Sequence, residues 1–306
     1  MRGRGPVRTL AALLALLSFP VAALAQKHKD FEDIGRRDIN EGSWNFYSLE
    51  KEIQLGRQFA AQVEAQSRLV RDPAVVGLVD DVVQNLARHS DAQLPFTVKV
   101  IDSDEVNAFA LPGGFLYVTT GLILEARTEA ELAGLLAHEM AHVTARHATK
   151  QASKRNLFQW MTLPLVFIGG PVGMGIQQAL GLAVPMTFLK FRRNAEREAD
   201  FLGLQYAYLA GYDPTGMIDY LERMKGEEGG RLSRLFSSHP MTKDRIQRAQ
   251  KGIAEVLPPR EEYVVSTSRF DGVRAYLRRR QEAIWIYQIR REGEPRLRRR
   301  PETEEP

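Results

Sequence analysis

The chain has 306 residues, a formal net charge of +4 and no cysteine. That length allows one large domain or two modest ones, and the missing thiols exclude a disulfide scaffold, a cysteine-ligated zinc or iron–sulfur site, a thiol nucleophile and a cysteine-anchored lipoprotein. With 44% hydrophobic and 26% charged residues it is neither disordered nor a many-span membrane protein, and any metal site must draw on carboxylates and six histidines.

Arg2, Arg4 and Arg8 precede an uncharged apolar stretch from Thr9 to Leu24, which closes on Ala23-Leu24-Ala25. A basic start, a short apolar middle and a small-x-small end predict a secretory signal peptide over residues 1–25, cleaved after Ala25. Its strongly apolar part, Leu10 to Leu17, is too short to span a bilayer. The mature chain is then expected in a periplasm-like space, soluble or peripherally attached to a membrane. Residues 26–48 are polar and irregular and read as an N-terminal arm. Apolar residues at threes and fours predict an amphipathic helix from Leu49 to Leu69, and Asp72-Pro73 opens a second helix with Val75, Val79, Val82 and Val83 on one face. Phe96 to Ile101 reads as a strand. Asn107 to Leu111 and Phe115 to Thr120 flank Pro112-Gly113-Gly114 and predict a hairpin. A helix follows from Thr128 to about Lys150, with Thr128 as its cap and Glu131 reaching back. The expected fold is α+β, mainly helical, with a small antiparallel sheet beside this last helix.

That helix is apolar on most sides, which makes its polar residues informative. His138-Glu139-Met140-Ala141-His142 is an H-E-x-x-H motif. Residues four apart share a helical face, so both imidazoles can reach one ion. Glu139 lies one step round, close enough to take a proton from water at the ion without ligating it. Zinc, one per chain, needs a third protein ligand. Ala145 and Ala148 exclude the metzincin pattern, and His147 falls half a turn out of phase on an unbroken helix, so it reads as a support for a ligand. Asn194-Ala195-Glu196-Arg197-Glu198-Ala199-Asp200 begins a later helix. Glu196 and Asp200 share a face, so Glu196 can ligate while Asp200 accepts the free N–H of a zinc-bound histidine.

H-E-x-x-H followed by E-x-x-x-D, with Asn107-Ala-Phe-Ala-Leu-Pro-Gly-Gly114 and Ser238-His239-Pro240, resembles the gluzincin metallopeptidase family of the HtpX, CAAX prenyl endopeptidase, mitochondrial Oma-type and periplasmic BepA-type proteases. The resemblance covers residues 49–260 and is nearest to the periplasmic branch, though no helical repeat is legible after residue 260. It implies a zincin core with His138, His142 and Glu196 as zinc ligands, Glu139 as general base and Asp200 behind the ligands. It also implies that Asn107, Ala108, Phe109, Ala110 and Leu111 form an edge that holds an extended substrate. His239 or Arg245 would stabilise the oxyanion, or His239 would swing onto the zinc and hold the enzyme latent. The expected activity is endoproteolysis of unfolded or misassembled envelope proteins. A chaperone-like envelope binding protein with structural or latent zinc is the alternative.

Residues 156–189 carry no charge and hold a central Gly/Pro cluster. They are read as a lid or membrane-touching insertion within the peptidase domain. Residues 261–306 form a basic extension. From Arg269 onward it holds eleven basic and seven acidic residues, with Arg278-Arg279-Arg280 on a helix, a β-like run from Ala283 to Ile289 and a disordered end. An anionic membrane surface is its expected contact, and nucleic acid is not.

Overall fold

The computed structural model describes residues 32–162, 191–224, 239 and 243–293. The signal peptide, most of the uncharged segment (163–189), Ser238, Pro240 and the tail beyond 293 lie outside these residues. Helix α1 spans Leu49–Gln66, and Ser48 Oγ caps it by accepting from Lys51 N at 3.3 Å. It ends before Leu69, which instead bridges to Ile101. Helix α2 spans Pro73–Arg88. Asp72 Oδ1 accepts from Ala74 N at 2.9 Å, and the face of Val75, Val79, Val82, Val83 and Leu86 is buried.

Strands β1 (Thr97–Ile101), β2 (Ala108–Leu111) and β3 (Phe115–Thr119) form one sheet in the order β1-β3-β2. The β2–β3 hairpin is antiparallel, as its turn demands: Gly113 and Gly114 take φ of 78° and 89°, a region closed to most side chains. The expectation of a wholly antiparallel sheet needs correcting, because β1 pairs with β3 in parallel. The six residues after β1 carry the chain past a gap that β3 then fills. The fold class remains α+β with a helical majority.

Helix α3 (Thr120–Glu125) leads to α4 (Glu129–Thr144). Thr128 Oγ1 caps α4 by accepting from Glu131 N, while Glu131 Oε2 accepts from Arg127 N, one residue further back than a strict capping box. The single helix expected to Lys150 is broken. Arg146 adopts φ 54°, and α5 restarts at His147 and runs to Thr162. The break is held from outside the helix: Arg146 Nε donates to buried Glu52 Oε1 of α1 at 2.8 Å. Helix α6 (Arg193–Leu209), α7 (Gly216–Met224), α8 (Lys243–Val256) and α9 (Ser268–Gly293) complete the described elements. The β-like run at 283–289 lies inside α9. Phe270, Val273 and Leu277 dock that helix on the core. No helix among the described residues is long and apolar enough to cross a membrane.

Helix α4 is enclosed by α2, β2, α6 and α7, and small residues set how closely they approach. A Cβ on Gly203 of α6 would lie 3.0 Å from His138 N and 3.1 Å from His138 Cα. Gly203→Ala is therefore expected to spread α4 from α6 and to cost about 1–3 kcal/mol of stability in urea unfolding. A cost below about 0.5 kcal/mol would show that the pair yields without strain.

Candidate active site

His138 and His142 stand one turn apart on α4, and both are buried. Glu196 and Asp200 stand one turn apart at the start of α6, also buried. The tight α4–α6 approach at Gly203 brings the two pairs together. His138 Nε2 lies 3.1 Å from His142 Nε2 and 3.5 Å from Glu196 Oε2, and His142 Nε2 lies 3.4 Å from Glu196 Oε1. Tetrahedral zinc, bonded at about 2.0–2.1 Å, requires ligand atoms about 3.3–3.4 Å apart. This triangle of two imidazoles and a carboxylate has that size, so the donor set fits zinc in both chemistry and spacing.

A fourth donor joins them. His239 Nδ1 is 2.9 Å from Glu196 Oε1 and 3.3 Å from His138 Nε2, while its Nε2 is 3.2 Å from Glu139 Oε1. One atom from each of His138, His142, Glu196 and His239 lies within 4.8 Å of the others. The imidazole of His239 thus sits between Glu139 and the triangle.

The electrostatics suit a cation. Burial opposes the Glu196 charge, but the imidazoles of His138, His142 and His239 hold its carboxyl far below the usual carboxylate range. Burial lowers His138, yet the facing carboxylates of Asp200 and Glu196 outweigh it and raise its pKa to about 9. Burial keeps His142 well below its ordinary value and pushes Glu139 up.

The supporting groups reach back into the fold. His138 Nδ1 lies 3.0 Å from Asp200 Oδ1, a close approach short of a well-aligned hydrogen bond. Asp200 is itself gripped by Arg245 of α8, through Nε to Oδ2 at 2.8 Å and Nη2 to Oδ1 at 2.6 Å. Arg245 Nη1 also donates to the His239 carbonyl at 3.2 Å and lies 3.4 Å from Glu196 Oε2. The break at Arg146 turns His147 inward, so its Nδ1 lies 2.8 Å from His142 Nδ1 and its Nε2 lies 3.2 Å from Glu198 Oε2. With Nε2 facing the triangle, His142 Nδ1 is placed to donate to His147, which in turn donates to Glu198.

Strand β2 is an edge of the sheet, and the Ala110 backbone faces the Glu139 carboxylate and favours its charged form. Asn107 lies just before the strand, its amide donating to Thr119 Oγ1 at 3.0 Å. Sequence reasoning does not find three features here. Phe191 stacks on His142 with ring centroids 3.9 Å apart. Glu198 backs His147. Leu135, Met217 and Leu221 line an apolar pocket with Ala108 beside Glu139 and His239. Their only sequence signals are single apolar or acidic residues of a common kind.

The profile of peptidase family M48 matches residues 73–253. The chain is 26% identical over 235 residues to a beta-barrel assembly-enhancing protease of Escherichia coli (strain K12), covering 72% of this chain and 47% of the relative. It is 28% identical over 279 residues to a putative beta-barrel assembly-enhancing protease of Vibrio cholerae, covering 86% and 56%. It is also 34% identical over 163 residues to a mitochondrial metalloendopeptidase OMA1 of Arabidopsis thaliana, covering 53% and 33%. The chain spans about half the length of the bacterial relatives.

Proposed function

The chain belongs to peptidase family M48, and from that premise we propose that it is a zinc endopeptidase of the bacterial cell envelope that cuts unfolded or misassembled proteins. The observation that carries this reading is the grouping of His138 Nε2, His142 Nε2 and the Glu196 carboxylate: the two nitrogens lie 3.1 Å apart, His138 Nε2 lies 3.5 Å from Glu196 Oε2 and His142 Nε2 lies 3.4 Å from Glu196 Oε1. Zinc held there would supply Lewis acidity, polarising the scissile carbonyl and acidifying water. Glu139 takes the proton of the attacking water and passes it to the leaving amine. Its burial favours the protonated form and so suits it to hold that proton between the two steps. Residues 107–111 bind the substrate backbone along the outer edge of β2, and the Leu135, Met217 and Leu221 pocket accepts an apolar side chain next to the cut bond. The name of the E. coli relative supports assembling β-barrel proteins as one substrate class. The leader read at residues 1–25 supports a periplasmic site, and the basic extension supports peripheral contact with an anionic membrane.

His239 keeps two roles. Its position between Glu139 and the ligand triangle supports a capped, latent arrangement, and swinging outward would leave its ring beside the oxyanion. Arg245 acts as a positioning residue through Asp200 rather than on the oxyanion, since its donors point to Asp200, Glu196 and the His239 carbonyl. Asp200→Asn is accordingly expected to weaken zinc binding about 10–100-fold, read by chelator competition. An unchanged affinity would remove Asp200 from the site. The proposed activity is tested by incubating the zinc-loaded chain with casein. Cleavage that a chelator stops and added zinc restores is expected. A chain holding one zinc with no such cleavage would favour the chaperone-like alternative.

A further inference from the structure

Helix α9 is docked over its first half. Phe270, Val273 and Leu277 are buried, Arg280 Nη2 pairs with Asp102 Oδ2 at 2.6 Å, and Gln281 Nε2 donates to Asp104 Oδ1 at 2.7 Å. Beyond this anchor the helix changes character. Ile284, Trp285, Ile286 and Tyr287 are 42, 61, 49 and 62% exposed. Successive residues step about 100° round a helix, so four in a row form a collar, not a stripe. A protein groove covers one face of a helix and would leave the rest of such a collar in water.

Arginines bracket the collar. Arg278 and Arg279 precede it and are exposed, and Arg290 and Arg291 follow it in sequence. From Arg278 to Arg300 the sequence carries nine arginines against three glutamates. Arg279 and Arg291 lie about 9 Å along the axis on either side of Trp285. A helix lying at the headgroup–acyl boundary of a bilayer meets acyl chains on one side and headgroups around the rest, and arginines at that spacing stay level with the phosphates, which they bind as bidentate donors. Tryptophan and tyrosine favour this layer.

We propose that the second half of α9 embeds its Ile284–Tyr287 collar in the headgroup region of an anionic phospholipid bilayer, with the flanking arginines on the lipid phosphates. This deepens the peripheral membrane contact proposed above and does not depend on the peptidase site.

The test uses the full chain carrying Trp44→Phe and Trp160→Phe, so that emission reports Trp285. Vesicles of phosphatidylcholine alone are compared with vesicles containing phosphatidylglycerol. A blue shift and co-sedimentation are expected only with phosphatidylglycerol. Adding Ile284→Ser with Ile286→Ser should weaken binding at least about tenfold, and Arg278→Gln or Arg279→Gln about fivefold each, with casein cleavage unchanged. Co-sedimentation without a shift of Trp285 would overturn the collar while leaving the peripheral contact. Loss of co-sedimentation altogether would overturn both. A Trp285 already blue-shifted without lipid, in a chain that light scattering finds dimeric, would mean that a second copy covers the collar.

Discussion

Glu139→Gln is expected to lower casein cleavage by about a hundredfold to ten-thousandfold, the range for loss of a general acid–base group, while one zinc per chain is retained. Glutamine matches the shape of glutamate, but it takes no proton from water. Glu139 is not one of the four donors gathered around the metal position, so the affinity for zinc should hold. The loss should fall on kcat with little change in KM, because the carboxylate acts in the transition state and not in substrate binding. A zinc-loaded variant with more than about a tenth of wild-type kcat would remove Glu139 from the role of base.

Asp91→Ala is expected to destabilise the chain by about 3–5 kcal/mol, the cost of breaking a buried ion pair from one side. The Asp91 side chain is fully buried and joins four parts of the fold. It accepts from Gly35 N at 2.8 Å and from Arg37 Nη2 at 2.9 Å, both on the segment before α1. It also accepts from Tyr206 Oη of α6 at 2.9 Å, and that hydroxyl meets Thr144 Oγ1 at the end of α4 at 3.2 Å. Burial, and next the Asp91 charge, push the Tyr206 hydroxyl well above its usual pKa, so it stays a donor. Alanine would take the buried carboxylate away from the Arg37 cation and the Tyr206 hydroxyl, and would loosen α4 against α6 near the candidate site. Urea unfolding measures the loss. A change below about 1 kcal/mol would mean that water or a moving side chain replaces the carboxylate.

The parts of the fold legible in the sequence are those set by local rules. Asp72 before Pro73, Thr128 three residues before Glu131, and Pro112-Gly113-Gly114 each fix an element through their own backbone chemistry. The pairs His138/His142 and Glu196/Asp200 are legible because helical periodicity alone puts each pair on one face. What escapes is decided by distant partners. Arg146 breaks a helix with no glycine or proline to announce it, because Glu52, 94 residues earlier, holds its guanidinium. That break moves His147 from half a turn out of phase to 2.8 Å from His142. The insertion of β3 between β1 and β2 depends on sheet-edge pairing that strand composition does not encode. Ile284 and Ile286 give residues 283–289 a β-like look, but the docking of Phe270, Val273 and Leu277 carries the helix through them.

The zinc content of the purified chain, measured beside that of His142→Ala after equilibration with trace zinc, tests the ligand triangle most directly. His142 Nε2 is one of its three corners, so the wild type should hold one zinc per chain and the variant less than about a tenth of that. A variant that keeps one zinc per chain, or a wild type that takes up none, would contradict His138, His142 and Glu196 as the metal centre.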